Sequence, residues 1–218
     1  MRKFRFIRNN AGDMGIGAMI VFIAMVLVAG IAASVLVQTA NKLEIKAMVT
    51  GQQTTKEVST GLRVSDINGQ VNTNKISELA ITVQARAGSS DIDLAQTVIE
   101  LTDGTTKVLL HYEANNTWNF NTSVDADANL FNTGAWNETN EEFGIIVLTD
   151  ADGSMTSATV PHINRGDIVV LCVSTTACFT GLDPRDNVWG QVMPEIGSPG
   201  IFGFRVPASL SHTVYDLY

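Results

Sequence analysis

The sequence is poor in the residues that carry chemistry. Of its 218 residues only three are histidine and two are cysteine. It contains no four-ligand Cys/His cluster, no His-Glu-x-x-His, no glycine-rich phosphate loop and no nucleophile elbow. His111, His162 and His212 are scattered and read as strand or loop residues. No catalytic residue, cofactor or metal site is therefore expected, and the chain does not read as an enzyme. Asp150-Ala-Asp152-Gly153 opens like a calcium loop but lacks the acid that closes a twelve-residue frame, so it reads as a hairpin turn. Arg165-Gly166-Asp167 reads as a turn entering a strand at Ile168. Basic charge is scarce as well: 14 Lys and Arg stand against 22 Asp and Glu, which excludes a nucleic-acid partner. With 45% apolar residues, 18 Gly and 5 Pro, the chain is neither disordered nor collagen-like.

Charge is missing altogether from one stretch. Met14 to Asn41 is 28 consecutive positions without Asp, Glu, Lys or Arg. Arg2, Lys3, Arg5 and Arg8 all precede it, leaving 10 basic residues against 22 acidic ones in the remainder. A basic head, an apolar run and an acidic body describe an exported protein whose head stays on the cytoplasmic side. Ile16 to Val37 is longer than the h-region of an ordinary secretory signal and matches the roughly 20 residues that cross a bilayer. The run is apolar at every helical phase, so its helix must be surrounded by lipid or by other such helices. Leaving about 15 large side chains in water would cost more than about 20 kcal/mol, beyond the whole margin of a typical domain. Ala29 and Ala33, four residues apart with Gly30 and Ala32 beside them, allow helices to approach closely. The helical pattern continues past Asn41 and is expected to stop at Gly61, which suits a left-handed cap after Thr60. From Gly15 to Thr60 that gives roughly 70 Å of helix.

Beyond Gly61 the period becomes alternating. Leu79 to Ala85, Ile92 to Leu101, Lys107 to Tyr112, Phe143 to Thr149, Met155 to Val160, Asp167 to Ser174, Gly200 to Val206 and Leu210 to Leu217 read as strands, with Asp103-Gly104 a tight hairpin. The expected fold is α+β: a long hydrophobic N-terminal helix followed by an antiparallel, immunoglobulin-like β-sandwich. Ala114 to Asn140 interrupts the strands with an Asn-, Asp- and Thr-rich insert whose Trp118, Phe120, Phe131 and Trp136 read as a small loop core. Three N-x-Ser/Thr sites fall there, at Asn115, Asn121 and Asn137. Cys172 and Cys178 lie six apart, and export favours a disulfide between them.

The span from Gly12 through Met14-Gly15-Ile16-Gly17 and Ile20-Val21-Phe22-Ile23-Ala24-Met25-Val26-Leu27-Val28-Ala29 to Thr39, then Gly61-Leu62, strongly resembles the N-terminus of archaeal flagellins, the archaellins. Gln191-Val-Met-Pro194-Glu and Phe204-Arg-Val-Pro207 look like endings of that family. One departure is that Asn9, Asn10 and Ala11 separate Arg8 from the cleaved glycine, where the family leader usually carries Lys or Arg. The resemblance implies cleavage between Gly12 and Asp13 by a membrane aspartic peptidase, leaving 206 of the 218 residues. It implies a division into leader 1–12, polymerisation helix 13–61 and outer sandwich domain 62–218. The helix residues expected to carry polymerisation are Ile16, Ile20, Ile23, Val26, Leu27, Ala29, Gly30 and Ala33. The family is commonly N-glycosylated, which favours glycans on the three asparagines.

The implied function is that of the structural subunit of the archaeal flagellum, an extracellular filament for swimming. Its implied partners are other filament subunits, the membrane before assembly, the leader peptidase and the assembly machinery. Two alternatives stay open: an adhesive subunit of a type IV pilus-like filament, and a surface binding domain tethered by a helix that remains in lipid.

Overall fold

The computed structural model describes residues 11–114, 120–122, 129–136 and 141–218. No proline occurs before Pro161, so nothing in the N-terminal third interrupts a hydrogen-bonded ladder. One unbroken helix, α1 (Ala11–Ser59), results. The chain divides into two compact units, residues 1–53 and 54–218. The described residues of the first, 11–53, all belong to α1.

The second unit is built from strands β1 (Leu62–Asn72), β2 (Lys75–Ala85), β3 (Ile92–Asp93), β4 (Val98–Thr102), β5 (Lys107–His111), β6 (Phe120–Asn121), β7 (Gly144–Thr149), β8 (His162–Ile163), β9 (Ile168–Ser174), β10 (Asn187–Met193), β11 (Gly200–Arg205) and β12 (Val214–Asp216). A six-stranded sheet has the order β12-β1-β2-β9-β7-β6, and a four-stranded sheet the order β11-β10-β4-β5. A third, two-stranded sheet pairs β3 with β8. Every pairing is antiparallel except the short β6–β7 contact, which is parallel. Alternation places Leu79, Ile81 and Val83 of β2 and Val169, Leu171 and Val173 of β9 in one buried cluster with Ile99, Leu101, Val188, Val192 and Phe202 of the other sheet. The two sheets thus share one core, as the sequence pattern predicts.

Several local expectations are corrected. Ile92 to Leu101 is not one strand: the Asp93 carboxylate accepts the Ala95 N–H at 2.8 Å and caps a 3-10 turn, Leu94–Gln96, that interrupts it. Met155 to Val160 forms no strand, and β12 covers only three residues of Leu210 to Leu217. The strand after Asp167 continues into a short helix, α2 (Thr175–Phe179), capped by the Ser174 hydroxyl.

Gly61 is required for a different reason than a left-handed cap. A Cβ there would lie 2.4 Å from Ser198 Oγ and 2.9 Å from its carbonyl oxygen. Close backbone approach, not a positive φ, demands glycine. The same junction is pinned by Ser198 N–H to Thr60 O at 2.9 Å, Leu62 N–H to Ser198 O at 3.2 Å and Arg86 N–H to Gly61 O at 2.9 Å. These bonds fix where the helical segment gives way to β1.

Candidate functional site

The apolar run of α1 is the largest chemical feature of the chain. Ile16, Ile20 and Leu27 are each 62% exposed, and Ile23 and Val26 are each 54% exposed. The 18-residue window of highest hydropathy has no buried share at all. Ala24, Ala29 and Ala32 leave a shallow groove walled by Val21, Met25 and Val28. A Cβ on Gly30 would meet nothing within 4 Å, so the surface there is smooth and narrow, together with Ala33 beside it. The polar groups that follow satisfy themselves within the helix: Gln38 Nε2 donates to Ser34 Oγ at 3.3 Å, and Thr39 Oγ1 to Leu36 O at 2.9 Å. Self-satisfied polar groups suit an apolar surrounding, whether lipid or protein. Gly12 and Asp13, which flank the expected cleavage, lie in the first turn of α1.

Of the insert's aromatics, Phe131 and Trp136 come together, Phe120 packs instead against the shared core, and Trp118 lies outside the described residues. Leu130, Phe131 and Trp136 pack on a second cluster made by Ala80, Ile146, Val170 and Cys172, on the face of the six-stranded sheet turned away from the shared core. Phe131 and Trp136 stack with centroids 5.2 Å apart, and the Trp136 indole N–H donates to Leu130 O at 3.0 Å. Asn121 is half-buried on β6, at the edge of that sheet. Asn115 and Asn137 lie outside the described residues.

The expected disulfide does not form. Cys172 and Cys178 are both free thiols. Cys172 points from β9 into the second cluster, whereas Cys178, on α2, packs against the shared core. The pleat and the turn of helix after it direct the two side chains to opposite faces of one sheet. Burial raises both thiols, Cys178 to about 11, with the Glu78 carboxylate adding to the effect at Cys172. Neither is a nucleophile at neutral pH.

Two carboxylate clusters were hidden from spacing arguments. Asp150 and Asp152 are joined by Asp167, whose carboxylate is buried, with ligand atoms all within 4.8 Å. Asp150 closes the turn by accepting the Gly153, Ser154 and Met155 N–H groups. Asp167 accepts from Ala151 N–H at 3.0 Å and Asn164 N–H at 2.9 Å. The Ser154 hydroxyl, followed by the Asn164 amide, holds the Asp152 carboxyl below its usual range. Three hard oxygen donors in this arrangement could hold a divalent cation. His111, Glu113 and Glu142 converge similarly, because His111 bridges to Glu142 along the edge of β5. The signal missed in both cases is tertiary pairing, which no local window contains.

Comparison with known proteins gives one answer at every level. The sequence profile described as archaeal-type flagellin matches residues 12–204. Flagellin B2 of Methanocaldococcus jannaschii is 44% identical over 213 residues, covering 98% of this chain and 97% of the relative. The crystal structure of archaeal flagellin FlaB1 from the same organism matches with a TM-score of 0.64 and 31% identity, over 72% of this chain and 96% of that one. The archaeal flagellum of Methanospirillum hungatei matches with a TM-score of 0.62 over 92% of this chain and 98% of that one, and at 15% identity it bears on the fold alone.

Proposed function

The chain belongs to the archaeal-type flagellin family, and from that premise we propose that it is the structural subunit of an archaeal flagellar filament, an extracellular homopolymer and not an enzyme. The observation that carries this reading is the helix. An all-round apolar surface, fully exposed in the single chain, is stable only when other surfaces of the same kind enclose it. A homopolymer supplies them from its own copies.

The finer steps follow from charge. The precursor rests in the membrane through α1, held by Arg2, Lys3, Arg5 and Arg8 on the cytoplasmic side. A leader peptidase cuts between Gly12 and Asp13, which removes all four cations and frees the helix to leave lipid. The assembly machinery then transfers it into a bundle, where Ile16, Ile20, Ile23, Val26 and Leu27 interdigitate and Ala29, Gly30 and Ala33 permit close approach. The sheet domain stands outside, and glycans occupy at least two of Asn115, Asn121 and Asn137. Electron microscopy of shed filaments, with N-terminal sequencing and intact mass of their subunit, tests the whole scheme. The expected result is filaments whose subunit starts at Asp13 and exceeds its polypeptide mass. A subunit starting at Met1 would refute the processing step and return the chain to a tethered domain.

A further inference from the structure

The outer face of the six-stranded sheet carries opposite charges at its two ends. Alternation turns Glu78 of β2 to the same face as Ala80, whose side chain belongs to the outer cluster. A β-bulge between Gln70 and Val71 of β1 opens the sheet there. The result is a cleft of about 470 Å³ floored by Glu78 and walled by Gln70, Asn72, Ser77, Ser174 and Thr176. Glu78 Oε2 is buried with no hydrogen-bond partner. Neither ion pair among the described residues, Lys75–Asp183 or Lys107–Glu100, involves it. A buried carboxylate oxygen without a donor is costly, and such groups call for a partner.

Eight residues on from Glu78, at Arg86 just past the end of β2 and about 26 Å away at 3.3 Å per residue, the sign reverses. Arg63, Arg86 and Arg165 line a cleft of about 410 Å³ around Ala85 and Ala87. Arg63 donates to Gln84 Oε1 at 2.6 Å and Arg86 to Ser198 Oγ at 2.8 Å. Among the described residues Arg165 has no partner, and none of the three pairs with a carboxylate. Yet residues 62–218 hold only 7 Lys and Arg against 19 Asp and Glu. Three of the domain's seven cations therefore gather at one end of one sheet, none of them in an ion pair.

We propose that these clefts meet between copies: the arginine cleft of one subunit docks on the Glu78 cleft of a neighbouring subunit in the filament. This inference rests on the filament reading. Domains with so strong a negative excess repel one another, and local opposition of charge is what lets them approach. A contact between two different patches of one chain is heterologous, and repeated copies of it build an open helical polymer instead of closing on themselves. A guanidinium supplies the donors that Glu78 Oε2 lacks.

Charge exchange within one chain tests the contact. Filaments are made from full-length Glu78→Arg, Arg165→Glu and the double variant, and their mean length and dissociation temperature are measured at low and high salt. Each single reversal is expected to shorten filaments about tenfold at low salt, and the double variant to recover part of the length, because each junction then regains one arginine–carboxylate pair while Arg63 and Arg86 stay in place. Wild-type length in either single variant, or no recovery in the double, overturns the proposal. Loss with Glu78→Arg alone would mean that the cleft holds something other than the neighbour's arginine. Should the reversals misfold, Glu78→Gln and Arg165→Gln decide: losses that do not add in the double variant support the contact, and additive losses overturn it. Failure of the filament reading looks different, since the unmodified chain would then form no filaments.

Discussion

Val26, midway along the apolar run of α1, is 54% exposed, whereas Ile81, midway along β2, is wholly buried, although the two side chains differ by one methylene. The difference lies in what each region can reach within its own chain. Alternation gives β2 a single apolar face, and the second sheet, which the chain reaches through residues 86–97, covers it. No alternation exists in α1. Every phase of the run is apolar, so no single neighbour could cover it, and its side chains stay exposed among the described residues. The sheet domain has a core of its own, while on the proposed filament reading the helix is half of an interface. On that reading one region specifies a fold and the other an assembly.

The largest expected effect breaks the helix side of this comparison alone. Val26→Asp should abolish filaments and leave the domain intact. A carboxylate enclosed by neighbouring helices without a partner costs several kcal/mol, on the order of 3–5, at every subunit. Negative-stain images should show none. The near-ultraviolet dichroism of the detergent-solubilised chain should be unchanged, because all three tryptophans lie beyond residue 62. Filaments of normal length from this variant would show that the run is not a packed core.

The reciprocal change is Phe143→Ala. Phe143 is wholly buried against Tyr112, with ring centroids 5.9 Å apart. Removing it should lower the stability of the sheet domain by about 3–5 kcal/mol, seen as a lower melting temperature and a lower denaturant midpoint. The helicity of α1 should not change.

The boundary between the regions is tested by Gly61→Ala. The new methyl would collide with Ser198, and with the backbone carbonyl beside it. A loss of about 1–3 kcal/mol is expected from forced displacement of these neighbours. A left-handed cap would respond differently, since asparagine would then be tolerated nearly as well as glycine. Here Gly61→Asn should be worse than alanine, and melting of the two variants side by side separates the readings.

How much of this was visible in the sequence follows the same division. The helix was legible almost to its last residue, because its signals are local: through Asn41 no charge and no phase left polar, and no proline to its end. The shared core was legible through the alternation of Leu79, Ile81 and Val83. What escaped depends on partners far along the chain. Ile92 to Leu101 has a strand's composition, yet Asp93 caps a turn within it. β10 passed unread, because Trp189 and Gln191 face solvent or a neighbouring strand and Gly190 leaves room for Phe202, which a Cβ would meet at 2.5 Å. Asp167 joins Asp150 and Asp152 only after β9 returns past β7. Nor could composition show that Glu78 and the three arginines occupy opposite ends of one face.

The smallest expected effect concerns whether the sheet domain is complete without a covalent staple. Six positions separate its only two cysteines in an exported chain, and a disulfide closing so short a loop would contribute about 2 kcal/mol. The structure denies it that role, since the two thiols leave opposite faces of the sheet. Cys178→Ser should therefore cost less than about 1 kcal/mol, the ordinary effect of a hydroxyl in a part-buried site. Cys172→Ser should cost more, about 1–3 kcal/mol, because its hydroxyl would be buried among Ala80, Ile146 and Val170 without an apolar group's ease. A disulfide predicts the opposite pattern, in which either serine removes the same bond and the two losses are equal. Melting the two variants with and without reductant distinguishes these outcomes. Unequal losses that ignore reductant are expected, as for a domain held by packing alone.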